Sequence, residues 1–312
     1  MNFRQRLGKA ALDRETIVTV GVFDGVHQGH RHLLARLVQA AGSQYIPTVV
    51  TFSNHPITVL RPDTVVKAIT TPDEKARLLR DAGVGLVVAL EFTEELAEVD
   101  ASEFSSLLVE SLNMKGIVLG PDTALGRNRE GDLEFLTRQG EELGFWVEAV
   151  TPFAIEGQPI KSRNIREALS QGDIPNCNRF LGRTFSMRGT VVAGDQRGRE
   201  LGFPTANMDL HGSRLLPGDG IYATWAVIDG KRLPSATSIG IRPTFGLSER
   251  LVEVHVIDFS GDLYGKEVDV EFVDKIRDQQ KFSAVDGLII QMDKDVADAR
   301  VALDRDQGAA VA

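Results

Sequence analysis

Two histidines three residues apart, His27 and His30, stand in GVFDGVHQGHRHLL, residues 21–34. Side chains at that spacing share one face of a helical turn, so both imidazoles can donate hydrogen bonds to charge developing on one ligand. The residues around them suit a phosphate. The apolar run ending at Phe23 reads as a strand, Asp24-Gly25 as a tight turn, and Gly29-His30 as the opening of a helix. Backbone N–H groups at a helix start attract anions, and Gly21, Gly25 and Gly29 let a ligand approach the backbone closely. A histidine pair alone is often surface or core filling; its place between a buried strand and a helix favours the phosphate. A second constellation lies in GDQRGRELGFPTAN, residues 194–207. Gly198 and Gly202 relax a loop, Arg199 supplies a cation, and Thr205 and Asn207 fall on one side of an extended chain. A hydroxyl and an amide carbonyl are oxygen ligands suited to Mg²⁺ already holding nucleotide phosphates. Taken alone, Pro204-Thr205-Ala206-Asn207 also reads as a simple turn.

These groups need elements to hold them. From Thr16 to about Val150, apolar runs (IVTVGVF, IPTVVTF, VGLVVAL, GIVLG, FWVEAV) alternate with helix-period segments (HLLARLVQAA, EKARLLRDAG, SEFSSLLVESL, LEFLTRQGEEL). That alternation predicts βαβ units and a parallel sheet covered on both faces, with ligands at the carboxyl ends of its strands. Residues 167–183 read as short connecting helices. From Phe185 to about Asp274, β-rich runs (RGTVVAG, GIYATWAVIDG, SATSIGI, LVEVHVIDF, EVDVEFVDKI) are split by Gly, Pro and Asp turns, which predicts a barrel or sandwich. A closing helix follows, with Leu288, Met292, Val296 and Ala299 on one face. The expected domains are residues 1–183 and 184–312.

Bulk properties agree. A chain of 312 residues exceeds the size at which one core keeps growing. Its 42% hydrophobic and 25% charged residues are those of a globular protein. A net charge of -9 argues against a general nucleic-acid binder, while leaving room for one positive nucleotide pocket. The lone Cys177 excludes an internal disulfide and fits a reducing compartment; with no histidine nearby, it reads as a packed thiol rather than a nucleophile. The absence of an 18-residue apolar run and of a signal-peptide h-region predicts a cytoplasmic protein with no membrane partner. Oligomeric state stays open.

The first stretch resembles the (H/T)xGH signature of the nucleotidyltransferase superfamily. With GVFDGVH before it, it is similar to the adenylyltransferase part of prokaryotic bifunctional riboflavin kinase/FMN adenylyltransferases (FAD synthetases). TFSNHP at 51–56, AITTPDEKARLL at 68–79, FTEELA at 92–97, GPDTALG at 120–126 and IKSRNIREAL at 160–169 carry the resemblance across residues 16–170. It implies a Rossmann-like domain that adenylylates FMN to FAD with ATP and Mg²⁺. His27, His30 and Arg166 would then stabilise the transition state, Ser162 and the 21–29 loop with Phe23 and Asp24 would bind ATP phosphates, and His55 and Asp122 would lie on the flavin. Three segments depart from the family pattern: Asn54 replaces a proline, Thr123 and Leu125 replace aromatics, and Lys161 and Arg163 replace a serine and a threonine. These changes predict that FMN formation outpaces FAD formation.

GFPTAN, DGIYATW, SIGIRPTFG, LVEVHVIDFSGDLYGKEVDVEFVDKIR and QQKF, in that order, resemble the riboflavin kinase module over residues 184–303. The resemblance implies a six-stranded antiparallel barrel with a C-terminal helix that phosphorylates riboflavin to FMN. Thr205 and Asn207 would bind Mg-ATP beside Gly198 and Arg199, Glu253 would be the base, and Tyr264 would shape the flavin pocket. In an alternating strand Glu253 also reads as a solvent-facing residue, and His255 as structural. Three alternatives remain at this stage: a riboflavin kinase whose first domain is not catalytic, a flavin carrier, and a nucleotidyltransferase for another acceptor.

Overall fold

The computed structural model describes residues 2–10, 13–194, 198, 201–210, 212, 214–244 and 247–311, side chains at 242–249 and 308–311 excepted. Two compact units, Met1–Ser162 and Arg163–Ala312, make up the chain. The first is built on β1 (Thr16–Val20), β2 (Ile46–Phe52), β3 (Leu86–Leu90), β4 (Met114–Leu119) and β5 (Trp146–Ala149). Their order is β3-β2-β1-β4-β5, and every neighbouring pair is parallel. Around them lie α1 (Phe3–Lys9), α2 (Gln28–Ala41), α3 (Pro56–Leu60), α4 (Pro72–Asp81), α5 (Glu94–Ala97), α6 (Ala101–Leu112) and α7 (Leu133–Leu143).

All of β1 is buried, because a parallel sheet covered by helices sends successive side chains into two cores. Ile17 shares one core with Leu34 and Leu37 of α2; Val18 and Val20 share the other with Phe104 and Leu108 of α6. Helix starts are capped as their sequences specify: Thr71 accepts from the Glu74 N–H, Asp100 from Glu103 and Asp132 from Phe135. Two features differ from the sequence reading. The helix α1 was not foreseen; Asn2 and Gln5 form its capping box, and Phe3 and Leu7 bury its inner face. Strand β1 stops at Val20 rather than Phe23, because Phe23 and Val26 adopt positive φ of 51° and 39° and turn the chain out of the sheet.

In the second unit, α8 (Ser162–Gln171) and α9 (Ile174–Leu181) precede β8 (Phe185–Val192), β9 (Ala206–Leu210), β10 (Gly220–Ile228), β11 (Lys231–Thr244), β12 (Leu247–Val256) and β13 (Glu267–Arg277). A small hairpin of β6 (Ala154–Ile155) and β7 (Gln158–Pro159) belongs to the first unit. The six later strands close into a barrel in the order β10-β11-β12-β9-β8-β13, antiparallel throughout. The closed barrel, rather than an open sandwich, leaves no free edge. Its interior holds Tyr222, Phe272, Val252 and Val254, and a hydroxyl chain in which Thr224 Oγ1 lies 2.8 Å from Ser235 Oγ and 2.7 Å from Thr237 Oγ1. Outside, α10 (Val285–Val311) packs Ala299 and Leu303 on Ala223, Trp225 and Ala236.

By packing, the units part at 162/163, whereas the sequence expectation drew the boundary after 183. The reason is Asn178 of α9: its Nδ2 donates to Phe272 O at 2.9 Å and its Oδ1 accepts the Phe185 N–H at 2.7 Å, sewing α9 to the barrel. Cys177 on the same helix is fully buried, and burial pushes its thiol up to about 12, so it is a packing residue. Among the described residues, no helix is long and apolar enough to cross a membrane.

Candidate active sites

The chain leaves β1 through Val22, whose carbonyl accepts from Thr51 Oγ1 at 3.0 Å and Lys75 Nζ at 3.1 Å. A positive φ at Phe23 and at the β-branched Val26 costs on the order of 1–3 kcal/mol each, so the turn needs outside support. Asp24 provides part of it: its buried carboxylate accepts the Ile69 N–H at 2.9 Å and the Thr70 N–H at 3.2 Å. The Gly25 N–H donates to Thr70 Oγ1 at 3.1 Å, and Ser162 Oγ donates to Asp24 O at 2.9 Å. The turn delivers His27 as the N-cap of α2, where Nδ1 accepts the His30 N–H at 3.3 Å. A neutral His27 therefore carries its proton on Nε2.

The rings of His27 and His30 stack with centroids 3.7 Å apart and planes 18° from parallel. Burial, His27 and the Lys75 ammonium together hold the His30 imidazole well below the usual histidine range, so it is neutral at neutral pH. His30 Nδ1 is buried without a hydrogen-bond partner among the described residues. Both rings line a cavity of about 800 Å³ at the carboxyl ends of the strands, at the switch point where the order reverses between β1 and β4.

Of the residues expected at this site, Gly21, Phe23, His27, Gly29, His30, His55, Asp122 and Ser162 line the cavity. Asp24 and Gly25 do not; they anchor the turn from behind. Arg166 belongs to the second unit, on α8. His55 caps α3, its Nδ1 accepting the Ile57 N–H at 3.3 Å, while also facing the cavity. The departures from the family pattern have local roles. Asn54 makes two 2.8 Å bonds to the backbone of Phe92, one through each end of its amide. Lys161 Nζ pairs with Asp122 Oδ2 at 2.7 Å, and Leu125 is buried in the core. Aromatic surface missing at 123 and 125 is present elsewhere: Phe52 and Phe92 meet edge to face, and Phe153 lies by His32, all four lining the cavity. Sequence reasoning passed over these four, although Phe52 and Phe92 lie inside the motifs quoted.

On the barrel, register decides what shares a face. Glu253 of β12 pairs directly with Asn207 of β9 and, on its other side, with Ser238 of β11. Directly opposed residues lie on the same side of a sheet. Val252, Val254 and Val256 are buried in the barrel, so Glu253, Asn207 and His255 are on its outer face. Backbone space makes this possible: a Cβ at Gly194 would fall 2.1 Å from Asn207 Nδ2, and one at Gly198 would fall 3.3 Å from Thr205 Oγ1. The Gly198 carbonyl accepts the Phe203 N–H at 2.8 Å, and His255 Nδ1 donates to Pro204 O at 2.9 Å, fastening the residues before Thr205. Tyr264 is exposed, its N–H donating to Asp262 Oδ1 at 3.0 Å in a turn. Arg199 lies outside the described residues.

No group of three His, Cys, Asp or Glu side chains suited to a metal occurs among the described residues. Thr205 and Asn207 offer neutral oxygens instead, in a cradle that a Cβ at 194 or 198 would fill. That donor set fits Mg²⁺ brought in on nucleotide phosphates, which supply most of its ligands.

Two family models match this chain, one over each part of it. Residues 9–164 match the family model described as FAD synthetase, and residues 181–303 the one described as riboflavin kinase. A bifunctional riboflavin kinase/FMN adenylyltransferase of Pseudomonas fluorescens is 37% identical over 290 residues, covering 92% of this chain and 93% of that protein. The enzyme of the same description from Escherichia coli K12 is 36% identical over 287 residues, 91% of each. The crystal structure of a macrolide-efflux protein from Streptococcus pneumoniae aligns with a TM-score of 0.87 and 33% identity, over 93% of this chain and 95% of that one. With both family matches in one chain and relatives alike over nearly its whole length, the chain belongs to the bifunctional riboflavin kinase/FMN adenylyltransferase family.

Proposed function

We propose that this protein converts riboflavin to FMN on the barrel (184–312) and FMN to FAD in the α/β domain (1–183), using Mg-ATP for each step. The observation that carries the proposal is the presence of two phosphate-handling sets on two compact units: His27 and His30 over a switch-point cavity, and Asn207 directly opposite Glu253 on the barrel. The presence of both families in one chain favours this reading over a kinase with a non-catalytic first domain.

In the barrel, the ribityl 5′-hydroxyl oxygen attacks the γ-phosphorus of ATP, the bond from that phosphorus to the β-bridging oxygen breaks, and ADP leaves. Glu253 takes the hydroxyl proton during attack. Thr205 and Asn207 would hold Mg²⁺, which when bound would supply charge neutralisation for the β- and γ-phosphates, with Gly198 leaving room beside Thr205. Tyr264 borders the flavin.

In the α/β domain, a phosphate oxygen of FMN attacks the α-phosphorus of ATP, and the bond to the α–β bridging oxygen breaks, releasing pyrophosphate. His27 Nε2–H and the His30 ring donate to the charge that develops, and Ser162, on the cavity wall, acts on the phosphates. His55, Asp122 and the Phe52–Phe92 pair face the flavin end. The protein works in the cytoplasm in this reading, with riboflavin, FMN and ATP as its small-molecule partners.

Asn207→Ala tests the assignment of the two reactions to separate sites. FMN formation from riboflavin is expected to fall, with a raised KM for Mg-ATP, while adenylylation of supplied FMN keeps its rate. Equal losses in both activities would contradict the assignment.

A further inference from the structure

The segment 69–75 lies inside AITTPDEKARLL, a stretch to which neither reaction gives a role. It packs directly behind the turn that presents the histidines. The N–H groups of Ile69 and Thr70 hold the Asp24 carboxylate, and Thr70 Oγ1 accepts the Gly25 N–H. Lys75, in the first turn of α4, is 7% exposed and sends its ammonium to the Val22 carbonyl at 3.1 Å and the Phe52 carbonyl at 2.6 Å. Phe52 is the last residue of β2 and Val22 lies two residues past the end of the adjacent parallel β1, so one side chain staples the two strand exits together at the cavity wall.

A buried cation is a costly staple. Burial lowers the Lys75 pKa, with the Asp24 carboxylate opposing that shift. A neutral side chain of the same length would fill the space without this cost, but would supply neither donors nor charge. Each is of use here. The turn is strained at Phe23 and Val26, and the site must receive the most highly charged part of ATP.

We propose that Lys75 is a positioning residue for adenylyl transfer, its buried ammonium holding the strained 22–26 turn and placing a fixed positive charge behind His27 and His30. The proposal rests on the adenylyltransferase reading of this cavity. The titratable groups coupled to the ammonium are Asp24 on the turn and His30 on α2, on which His27 stacks; Glu74 precedes Lys75 on its own helix, and β2, with sequence IPTVVTF, contributes none.

The test compares Lys75→Met and Lys75→Arg with the unaltered full-length protein. In Lys75→Met the kcat for FAD formation from supplied FMN should fall about 10- to 100-fold, the scale of a small misplacement of catalytic groups. FMN formation should be unchanged. Lys75 lowers the His30 pKa, so its removal should raise that pKa, and the acid limb of the pH–kcat profile should move to higher pH. Lys75→Arg, which keeps charge and donors, should recover part of the rate and the original limb. An imidazole NMR titration of His30 reads the same shift without any turnover. If Lys75→Met keeps the original rate, or loses rate with an unmoved His30 titration and no recovery in Lys75→Arg, Lys75 is only a packing residue. Absence of FAD formation in the unaltered protein would sink the reading of the cavity instead, and the His30 titration would still decide the role of Lys75.

Discussion

Replacing Glu253 by Gln is expected to lower FMN formation by roughly 10²- to 10⁴-fold, the usual worth of a positioned general base. The substitution keeps the size of the side chain and one oxygen, and it leaves strand β12 untouched. Val252 and Val254 still fill the barrel, and the residue still opposes Asn207 across the β9–β12 ladder. What disappears is the capacity to take the proton from the ribityl hydroxyl. Binding should survive, so quenching of riboflavin fluorescence by the variant should titrate as it does for the unaltered protein. Initial rates of FMN formation, measured by chromatography, decide the matter. Near-normal turnover in Glu253→Gln would assign proton removal to another group.

The second large effect belongs to His30. Its ring stacks on His27, and its pKa is depressed by burial, by His27 and by the Lys75 ammonium. A neutral imidazole can still donate a hydrogen bond, and a donor aimed at developing charge in a dry site is worth about 10²- to 10³-fold. His30→Ala should therefore lower FAD formation from supplied FMN by about that factor, with FMN formation from riboflavin unaffected. Because the ring is already neutral at neutral pH, the unaltered protein should hold its FAD rate as pH rises through the ordinary histidine range. A His30→Ala variant that retains most of its FAD rate would remove His30 from the mechanism.

The elements that read clearly from sequence are those whose signal is local. The buried run at β1 and the alternation in LVEVHV each dictate their own structure through periodicity. The end of β1 is different. Neither Phe nor Val favours a positive φ, and the turn at 23–26 exists because Ile69, Thr70, Lys75 and Ser162, distant in sequence, hold it. The attachment of α9 to the barrel likewise depends on Asn178 meeting Phe272, which no composition shift announces. The short α1 did carry a signal, Asn2 and Gln5 at capping-box spacing with Phe3 and Leu7 four residues apart, and it was passed over.

The same division runs through the sites. His27 and His30 declare themselves by spacing, and the resemblance to known families placed Glu253 and Asn207. Their direct pairing is a fact of strand register, which the residues alone do not specify. The cavity wall made by Phe52, Phe92 and Phe153 arises only when loops after different strands converge. Lys161, a departure from the family pattern, gains a carboxylate partner, Asp122, at the cavity.

The most direct measurement is a time course of the purified full-length protein with riboflavin and Mg-ATP, resolving riboflavin, FMN, FAD and pyrophosphate. FMN should accumulate first, and FAD should follow at a slower rate with one pyrophosphate released per FAD. Supplied FMN should give FAD without a lag. Failure to form FMN would contradict the barrel assignment, and FMN that is never converted to FAD, even when supplied, would contradict the assignment of adenylyl transfer to the α/β domain.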